Sequence, residues 1–460
     1  NRYWILKNPL ECVLVRVTTP LPNSPKGFSM KNISSPLLPF KLTSTDDKIT
    51  PNAGLGLFGE FLYSQGIAAL LDANINGFKS NHSYKPSEFV VPLFLMLHGG
   101  GRYLEDIREI ARDEALLKLL GINAVPSSSA IGDWLRFIGD AKNGLAGLSR
   151  CNQALIKRGL KKSGAKEFTL DTDASQIVGW KFEAAFTYKG EKGYMPIIGH
   201  IAETGMVIHD EFRDGNISPG TRNLEFIKQC FAKMPNGKKI RHFRADSATY
   251  QSAVFNWLEQ KNIEFAIGGR MDASVKTIIK ETAESKWQRY QGSSGILRVT
   301  HCMENTNVAF DLIIIRRPYQ PDLLDSEADD SRRYVLIATN KKGKPEDIVA
   351  WYNQRGEASE NRIKELKTGF NMEYMPCGTT KANAVYFRIG VLAYNLFKLF
   401  KMVALPKDWA KHTVQTLRWK FYQTAGKVVM HAGQLWFKIK TAILPFFEEV
   451  RMRISKFALT

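Results

Sequence analysis

The spacing of apolar residues changes along this chain, from a helical period to the shorter period of strands. Before residue 165, apolar residues recur at i, i+3, i+4 and i+7, as in Ile131, Trp134, Leu135 and Ile138. In residues 168–175 (Phe-Thr-Leu-Asp-Thr-Asp-Ala-Ser), apolar and polar residues alternate instead, as they do in a strand. The pattern therefore predicts a helical N-terminal region followed by a sheet.

Strands and helices alternate after this first strand. Three antiparallel strands come first, and helices and strands then alternate along the chain. This order indicates a mixed sheet with helices on its faces. Two of these strands, Ala184–Tyr188 and Met195–Ala202, flank a Lys/Gly turn and are predicted to form a hairpin. The predicted strands are Ala184–Tyr188, Met195–Ala202, Met206–Phe212, Ile240–Asp246 and Glu264–Gly268, and the predicted helices are Leu224–Met234 and Tyr250–Gln260.

The composition adds a strong positive charge to this α/β pattern. The chain has 64 Lys and Arg against 45 Asp and Glu, a net charge of +19 in 460 residues. Such an excess favours nucleic acid as a partner over the alternatives, a membrane surface or no anionic partner at all. No uninterrupted apolar run is long enough to span a bilayer. The five cysteines form no CxxC pair, so a disulfide framework and a zinc site are not predicted.

The patterns of apolar residues and charge together predict five parts. Strands at Gly295–His301, Val308–Arg316 and Arg333–Thr339 interrupt the earlier rhythm, and one amphipathic helix is predicted at Pro345–Gly369. The five parts are a poorly ordered or non-native segment at 1–44, a helical DNA-binding region at 45–160, an α/β core at 165–271 and 334–395, a β-rich insertion at 272–333, and a basic helical region at 396–460.

Carboxylates in this pattern point to metal-dependent chemistry on phosphodiesters. Asp171 and Asp173 lie two residues apart on a predicted strand, so their side chains leave the same face. Asp246 ends another strand, where open α/β sheets bind ligands. Glu360 lies in the predicted amphipathic helix, two turns before Lys367. Carboxylates from separate elements suit Mg²⁺, and two such ions can activate the attacking and leaving oxygens of a phosphodiester.

The end of this constellation resembles a known signature. Tyr352-Asn-Gln-Arg355, followed by Glu360 and Lys367, resembles the Y-x2-R…E-x6-K signature of DDE transposases from bacterial insertion sequences. Four residues separate Arg355 from Glu360 where that signature has three, so Glu357 is a second candidate for the third acid.

Further segments resemble the "1380" family of insertion sequences. They are residues 170–175, 244–247 and 355–364, and they occur in the order of that family. The resemblance implies a ribonuclease-H-like mixed sheet with helices on both faces, interrupted by a β-rich insertion and flanked by helical N- and C-terminal regions. It also implies a DNA transposase that cuts at terminal inverted repeats and joins the 3′-OH ends to target DNA by two-metal phosphoryl transfer.

The resemblance assigns roles to particular residues. It implies Mg²⁺ or Mn²⁺ as the cofactor, held by the three catalytic acids Asp173, Asp246 and Glu360, with Asp171 open as an alternative first acid. The expected DNA contacts are Tyr352, Arg355, Arg362 and Lys367. Apart from the resemblance, Arg222 and Arg244 are further candidates for phosphate contact. A homodimer is expected on DNA because two element ends must meet, and the expected location is cytoplasmic, at the nucleoid, with no membrane partner. The alternatives are a ribonuclease-H-like nuclease without strand transfer and a catalytically decayed DNA-binding relic.

Overall fold

The computed structural model describes residues 41–76, 84–318, 333–356 and 361–458. Every helix and strand described below belongs to one compact unit, Lys48–Thr460, which is the second unit of the chain. The segment predicted to be poorly ordered or non-native, 1–44, lies almost entirely outside the described residues.

Helices dominate the first part of the second unit, as predicted. They follow a short strand, β1 (Lys48–Thr50), and α6 shows why they form: its apolar stripe is buried, and the Ser127 hydroxyl accepts a hydrogen bond from the Ala130 N–H at 3.2 Å to cap it. Their bounds are α1 (Ala53–Ser64), α2 (Ile67–Asn74), α3 (Pro86–Gly99), α4 (Ile107–Arg112), α5 (Glu114–Leu120), α6 (Ser128–Asp140) and α7 (Gly144–Ser163).

The strands that follow form a large mixed sheet and a small one. Their bounds are β2 (Glu167–Ala174), β3 (Ile177–Val178), β4 (Ala185–Phe186), β5 (Lys192–Tyr194), β6 (Ile197–Ile201), β7 (Val207–Glu211), β8 (Lys239–Ala245), β9 (Glu264–Gly268), β10 (Gln288–Tyr290), β11 (Ser294–His301), β12 (Phe310–Arg316) and β13 (Tyr334–Thr339). Helices α8 (Asn223–Ala232), α9 (Ser252–Gln260) and α10 (Ala273–Glu281) lie between them in the chain.

The large sheet has the strand order β10-β11-β12-β13-β9-β8-β2-β6-β7. β2 runs parallel to β8 and β8 runs parallel to β9, whereas the other neighbours are antiparallel. β2 lies inside the sheet, between β8 and β6, and is mostly buried, with Phe168 and Leu170 fully enclosed. The strands predicted for the β-rich insertion are present, and they extend this same sheet beyond β9.

The predicted hairpin is wrong in its second strand. β4 pairs with β5, and β3 pairs with the other edge of β5, forming the small sheet β3-β5-β4. Residues 197–201 instead form β6, between β2 and β7 of the large sheet. Pro196 separates the two strands, because a proline has no N–H to continue a ladder.

The helix predicted at Pro345–Gly369 is helical on both sides of residues 357–360, which lie outside the described residues. α11 (Pro345–Arg355) comes before them, and α12 (Asn361–Lys364) and a π-helical turn, Glu365–Gly369, come after them. α13 (Thr380–Val403) follows; it is buried along nearly its whole length and packs against α3, α6 and α7.

The C-terminal region is not wholly helical, which corrects the prediction for 396–460. After α14 (Val414–Leu417), strands β14 (Gly426–His431) and β15 (Gln434–Ile439) form a hairpin that pairs with β1, and α15 (Leu444–Ala458) closes the chain. The hairpin turns at Ala432 and Gly433, which both have positive φ (48° and 76°), as a two-residue primed turn requires.

Among the described residues, no helix on its own combines the length and the hydropathy of a membrane span. α1 and α2, which meet at a bend of 55°, reach both only when the two are taken together.

A buried arginine ties the C-terminal region to the helices around it. The Arg418 guanidinium donates hydrogen bonds to the carbonyls of His98 (2.8 Å), Leu97 (2.7 Å) and Gly369 (2.6 Å). Replacing Arg418 with methionine would leave these carbonyls without their donor, so we expect the free energy of unfolding to fall by about 3 kcal/mol. Denaturant titration measures the change, and Lys420→Met, on an exposed side chain two residues away, should cost no more than about 0.5 kcal/mol.

Three buried histidines should make the protein sensitive to acid. Burial lowers the pKa of His98 and of His209 to about 3, and lowers the pKa of His200 well below its ordinary value. The unfolded chain takes up these protons below pH 6.5 while the folded chain does not, so stability is full above pH 6.5 and falls as the pH drops towards 3. The loss should be about 1.4 kcal/mol per pH unit per histidine.

Urea titrations between pH 7 and pH 5 test this dependence. His200 lies fully buried, and neither ring nitrogen has a hydrogen-bond partner among the described residues. His200→Leu should therefore reduce the slope of stability against pH by roughly a third. An unchanged slope in this variant would contradict the account.

Candidate active site

Two of the predicted acids stand at the ends of neighbouring parallel strands. In the β2–β8 pair, Asp171 lies opposite Arg244 and Thr172 opposite Ala245. One residue further in the same register, Asp173 at the end of β2 comes beside Asp246, which directly follows β8. Because adjacent strands are about 4.8 Å apart, both carboxylates lie at the same edge of the sheet.

Asp171 is engaged inside the protein. Its side chain is completely buried, and its two oxygens accept hydrogen bonds from Arg244 Nε (2.7 Å) and Nη2 (2.9 Å). Arg362 Nη1 lies 3.5 Å from the same carboxylate. Arg244 also donates to the carbonyl oxygen of Trp351 at 2.5 Å, which ties β8 to α11. Asp171 thus has no access to a substrate, and Arg244, a candidate phosphate contact, is buried with it.

Asp173 is the accessible acid of β2. About a fifth of its side chain is exposed, and Arg355 Nη2 lies 3.4 Å from its Oδ2. It opens onto a cavity of about 280 Å³. The cavity is lined by Asp173, Ala174, Ser175, Ile363, Lys364, Lys367, Thr368 and Glu373. The recess therefore brings two carboxylates, Asp173 and Glu373, together with two lysines.

Tyr352 on α11 lies within electrostatic reach of both acids. Burial raises the pKa of its hydroxyl; Arg355 opposes this rise, and the carboxylates of Asp246 and Asp173 add to it. The phenol is thus held protonated, as a hydrogen-bond donor. A Cβ at Gly268, which ends β9, would lie 3.0 Å from the Tyr352 hydroxyl and 2.9 Å from the Ser247 nitrogen. Glycine is required there for this close approach.

Asp246 has a local role as well as an exposed position. It is partly exposed, and its Oδ1 accepts a hydrogen bond from the Ala248 N–H at 3.1 Å, capping the short turn Ser247–Thr249. This bond fixes the direction of the side chain at the end of β8.

The predicted DNA contacts differ in their surroundings. Arg355 is buried against Asp173 and also approaches the Thr172 carbonyl at 3.4 Å, and Arg362 donates to the Ala202 carbonyl at 2.6 Å. Lys367 Nζ donates to the Gln176 carbonyl at 2.7 Å and lines the cavity. Burial lowers the pKa of Lys367; Glu373 opposes this, and Lys189 acts with it. Of the signature residues, Lys367 is thus the cation that borders the recess.

Other candidates lie at the margin or outside the described residues. Arg222 is exposed, with φ of 55°, just before α8. Glu360 and the alternative Glu357 fall outside the described residues. Within the described ranges, no three His, Cys, Asp or Glu side chains are grouped to hold a metal ion. Asp173 and Asp246 offer carboxylate oxygens, the hard donors that Mg²⁺ and Mn²⁺ bind.

Two features that matter for this site were not predicted from sequence. The pairing of Arg244 with Asp171 decides which aspartate is accessible, and Gly268 makes room for the Tyr352 hydroxyl. For the space around the Tyr352 hydroxyl, the sequence offered one signal, the glycine Gly268 at the end of the predicted strand Glu264–Gly268.

Comparison with known proteins places the chain in a family. No curated protein matches its sequence. Among solved structures, a cryo-EM structure of the piggyBac transposase synaptic complex with hairpin DNA is similar at 12% sequence identity and a TM-score of 0.45, covering 80% of this chain and 79% of that one. The family model described as Transposase DDE domain group 1 matches residues 39–457. The chain therefore belongs to the group 1 family of DDE transposase domains.

Proposed function

We propose that this protein is a DNA transposase that cuts at terminal inverted repeats and joins the 3′-OH ends to target DNA, with Asp173, Asp246 and Glu360 as the catalytic acids. One observation carries the proposal: in a chain of the DDE transposase family, Asp173 and Asp246 directly follow the last paired residues, Thr172 and Ala245, of the parallel strands β2 and β8. Asp171, the alternative first acid, is buried against Arg244.

The strand order supports a ribonuclease-H-like core. Taken in chain order, β2, β6, β7, β8 and β9 are arranged 3-2-1-4-5, with the first three antiparallel and the last two parallel to the first. This arrangement places the ends of the first and fourth strands next to each other, and each carries an acid. The finer assignment, to the "1380" family of bacterial insertion sequences, rests on the sequence motifs.

The residues around the two acids have separable roles. Asp173 and Asp246 would hold the divalent metal, which when bound polarises the phosphoryl oxygens and makes the attacking hydroxyl more acidic. Arg355 holds the carboxylate of Asp173 in place at 3.4 Å. Tyr352 supplies a protonated hydroxyl beside both acids, and Lys364 and Lys367 offer positive charge to DNA phosphates in the recess.

Partners and setting follow from this reaction. Two element ends must meet before joining, so we propose a homodimer on DNA, acting in the cytoplasm at the nucleoid. The net charge of +19 suits the phosphate backbone of DNA.

Strand cleavage tests the proposal. Purified protein with Mg²⁺ or Mn²⁺ should nick a labelled duplex that contains the inverted repeat flanking its own coding sequence, at the element boundary. Nicking at random positions would favour the nuclease, and tight binding without nicking in either metal would favour a catalytically decayed relic.

The two lysines of the recess should contribute to DNA affinity through phosphate contact. Lys364→Ala and Lys367→Ala should each weaken binding to duplexes of different sequence by a similar factor, and each should reduce the slope of log affinity against log salt by about one. Fluorescence anisotropy across a salt series measures both quantities. Lys381→Ala, at an exposed lysine that pairs with Asp140, is the matched control and should change the slope less.

A further inference from the structure

The small sheet beside the active site exposes an unusual number of aromatic rings. We use "aromatic sheet" for β3, β4, β5 and the segments that connect them, residues 177–194. Trp180 is 69% exposed, Phe182 90%, Phe186 56% and Tyr188 69%. Trp180 and Phe186 contact each other edge to face, with ring centroids 6.1 Å apart. Large rings exposed together on a protein surface mark an interaction site more often than rings exposed singly.

The charges of the aromatic sheet favour an anionic partner. Lys192 Nζ lies 5.7 Å from the Phe186 ring centroid, Lys189 Nζ lies 5.7 Å from that of Tyr188, and Lys181 stands between Trp180 and Phe182 in sequence. Its two carboxylates already have partners. Glu183 accepts a hydrogen bond from the Thr380 N–H at 2.8 Å, and Glu191 accepts one from Gln176 Nε2 at 3.1 Å. Both glutamates are exposed, and three lysines against two glutamates (3 − 2) leave the aromatic sheet with a net charge of +1.

The rings stand on a backbone that is held to the rest of the fold. The Glu183 N–H donates to the Gly378 carbonyl at 3.1 Å, and Asn383 Nδ2 on α13 donates to the Tyr194 hydroxyl at 2.9 Å. Gln176 Nε2 also donates to Thr187 Oγ1 at 3.0 Å, closing the turn. A surface already held in place loses little conformational freedom when it binds.

The aromatic sheet also adjoins the recess at Asp173. Ser175 lines that recess, and the next residue, Gln176, receives the hydrogen bond from Lys367 on its carbonyl oxygen. Lys189 of the aromatic sheet lies close enough to Lys367 to lower its pKa further, in addition to burial. DNA whose phosphates contact Lys367 would therefore have its nearest nucleotides beside the exposed rings.

We propose that the aromatic sheet binds unpaired nucleotides next to the cleavage site, by stacking bases on Trp180 and Phe186 while Lys189 and Lys192 contact the phosphates. Exposed rings interleaved with lysines are the combination that binds single-stranded nucleic acid, since every base has a face to stack and every nucleotide carries a phosphate. Base pairs in a duplex are already stacked on each other, so this surface should distinguish unpaired from paired DNA. The proposal rests on the proposed function for its location on the reaction path.

Binding measured without cleavage tests the proposal independently of catalysis. The full chain carrying Asp246→Asn is titrated at fixed salt into two 20-base-pair duplexes, one blunt and one with a three-nucleotide single-stranded extension. We expect the extended duplex to bind about tenfold more tightly, the effect of stacking one or two bases. With 2-aminopurine in the extension, its fluorescence should fall on binding, because a stacked base is quenched.

The double variant Trp180→Ala/Phe186→Ala, in the same background, should lose both the preference and the quenching while binding the blunt duplex within twofold. Trp419→Ala, which removes a tryptophan that is 79% exposed elsewhere, should keep both. Equal binding of the two duplexes by the parent would overturn the proposal, as would an equal loss on both duplexes in the double variant. A change in sedimentation of the double variant without DNA would also overturn it, by assigning the surface to contacts between copies of the chain. None of these results depends on whether the wild-type chain cuts DNA.

Discussion

Asp173→Asn and Asp246→Asn should each reduce the rate of metal-dependent DNA nicking by about a thousandfold or more. Asparagine keeps the shape of the side chain and removes the negative charge that holds a divalent cation. The loss corresponds to about 4 kcal/mol of transition-state stabilisation, within the several kcal/mol that a metal contributes to phosphoryl transfer. Single-turnover nicking of the labelled element end measures the rate.

The loss should be confined to catalysis. Both aspartates are partly exposed, so both variants should remain folded at the assay temperature, although Asp173→Asn removes the counter-charge of Arg355 and should lower the midpoint of denaturation somewhat. DNA affinity should be kept because a negative charge near the phosphates has been removed. Asp133→Asn is the matched control, since Asp133 pairs with Arg136 on an exposed face of α6. Wild-type nicking rates in either active-site variant would show that the acids lie elsewhere.

Asp171→Ala should have the opposite profile, with a large loss of stability. Removing this carboxylate leaves the Arg244 guanidinium buried without its partner, and Arg362 loses a nearby counter-charge. Breaking a buried ion pair from one side costs about 3–5 kcal/mol, because the remaining charge stays out of water. Urea denaturation at pH 7 measures the change.

A paired replacement separates burial of a charge from general damage to the sheet. Asp171→Leu combined with Arg244→Met removes both charges, and we expect it to recover much of the stability lost in Asp171→Ala. If Asp171→Ala were instead as stable as wild type and unable to nick DNA, Asp171 would be the first catalytic acid and the assignment to Asp173 would be wrong.

The sheet could be predicted from the sequence because its strands have a clear pattern of their own. The alternation in 168–175 predicted β2, and the strand predicted at Ile240–Asp246, which ends in an acid, corresponds to β8. The same period of two could not choose between Asp171 and Asp173, since it places both on one face. The two differ in burial, because Asp171 is enclosed against Arg244, a residue from another strand, whereas Asp173 is partly exposed.

The partners of Arg355 and Arg362 also could not be predicted from the sequence. A guanidinium in a DNA-binding family suggests phosphate contact, yet Arg355 and Arg362 have partners inside the protein: the Asp173 carboxylate and the Ala202 carbonyl. The C-terminal hairpin was missed for a local reason. Its turn uses Ala432 at positive φ, which is uncommon for alanine, so the expected Asn-Gly or Gly-Gly signal is absent.

The joining of a DNA strand tests the central claim most directly. The wild-type chain with Mg²⁺ is given a pre-cut, labelled element end with a free 3′-OH and a supercoiled plasmid as target. We predict a covalent joint between the label and the plasmid, which disappears when the end carries a dideoxy terminus and when Asp246→Asn replaces the wild type. Hydrolysis of the end or of the plasmid with no joint in the wild-type reaction would contradict the transposase and support the nuclease.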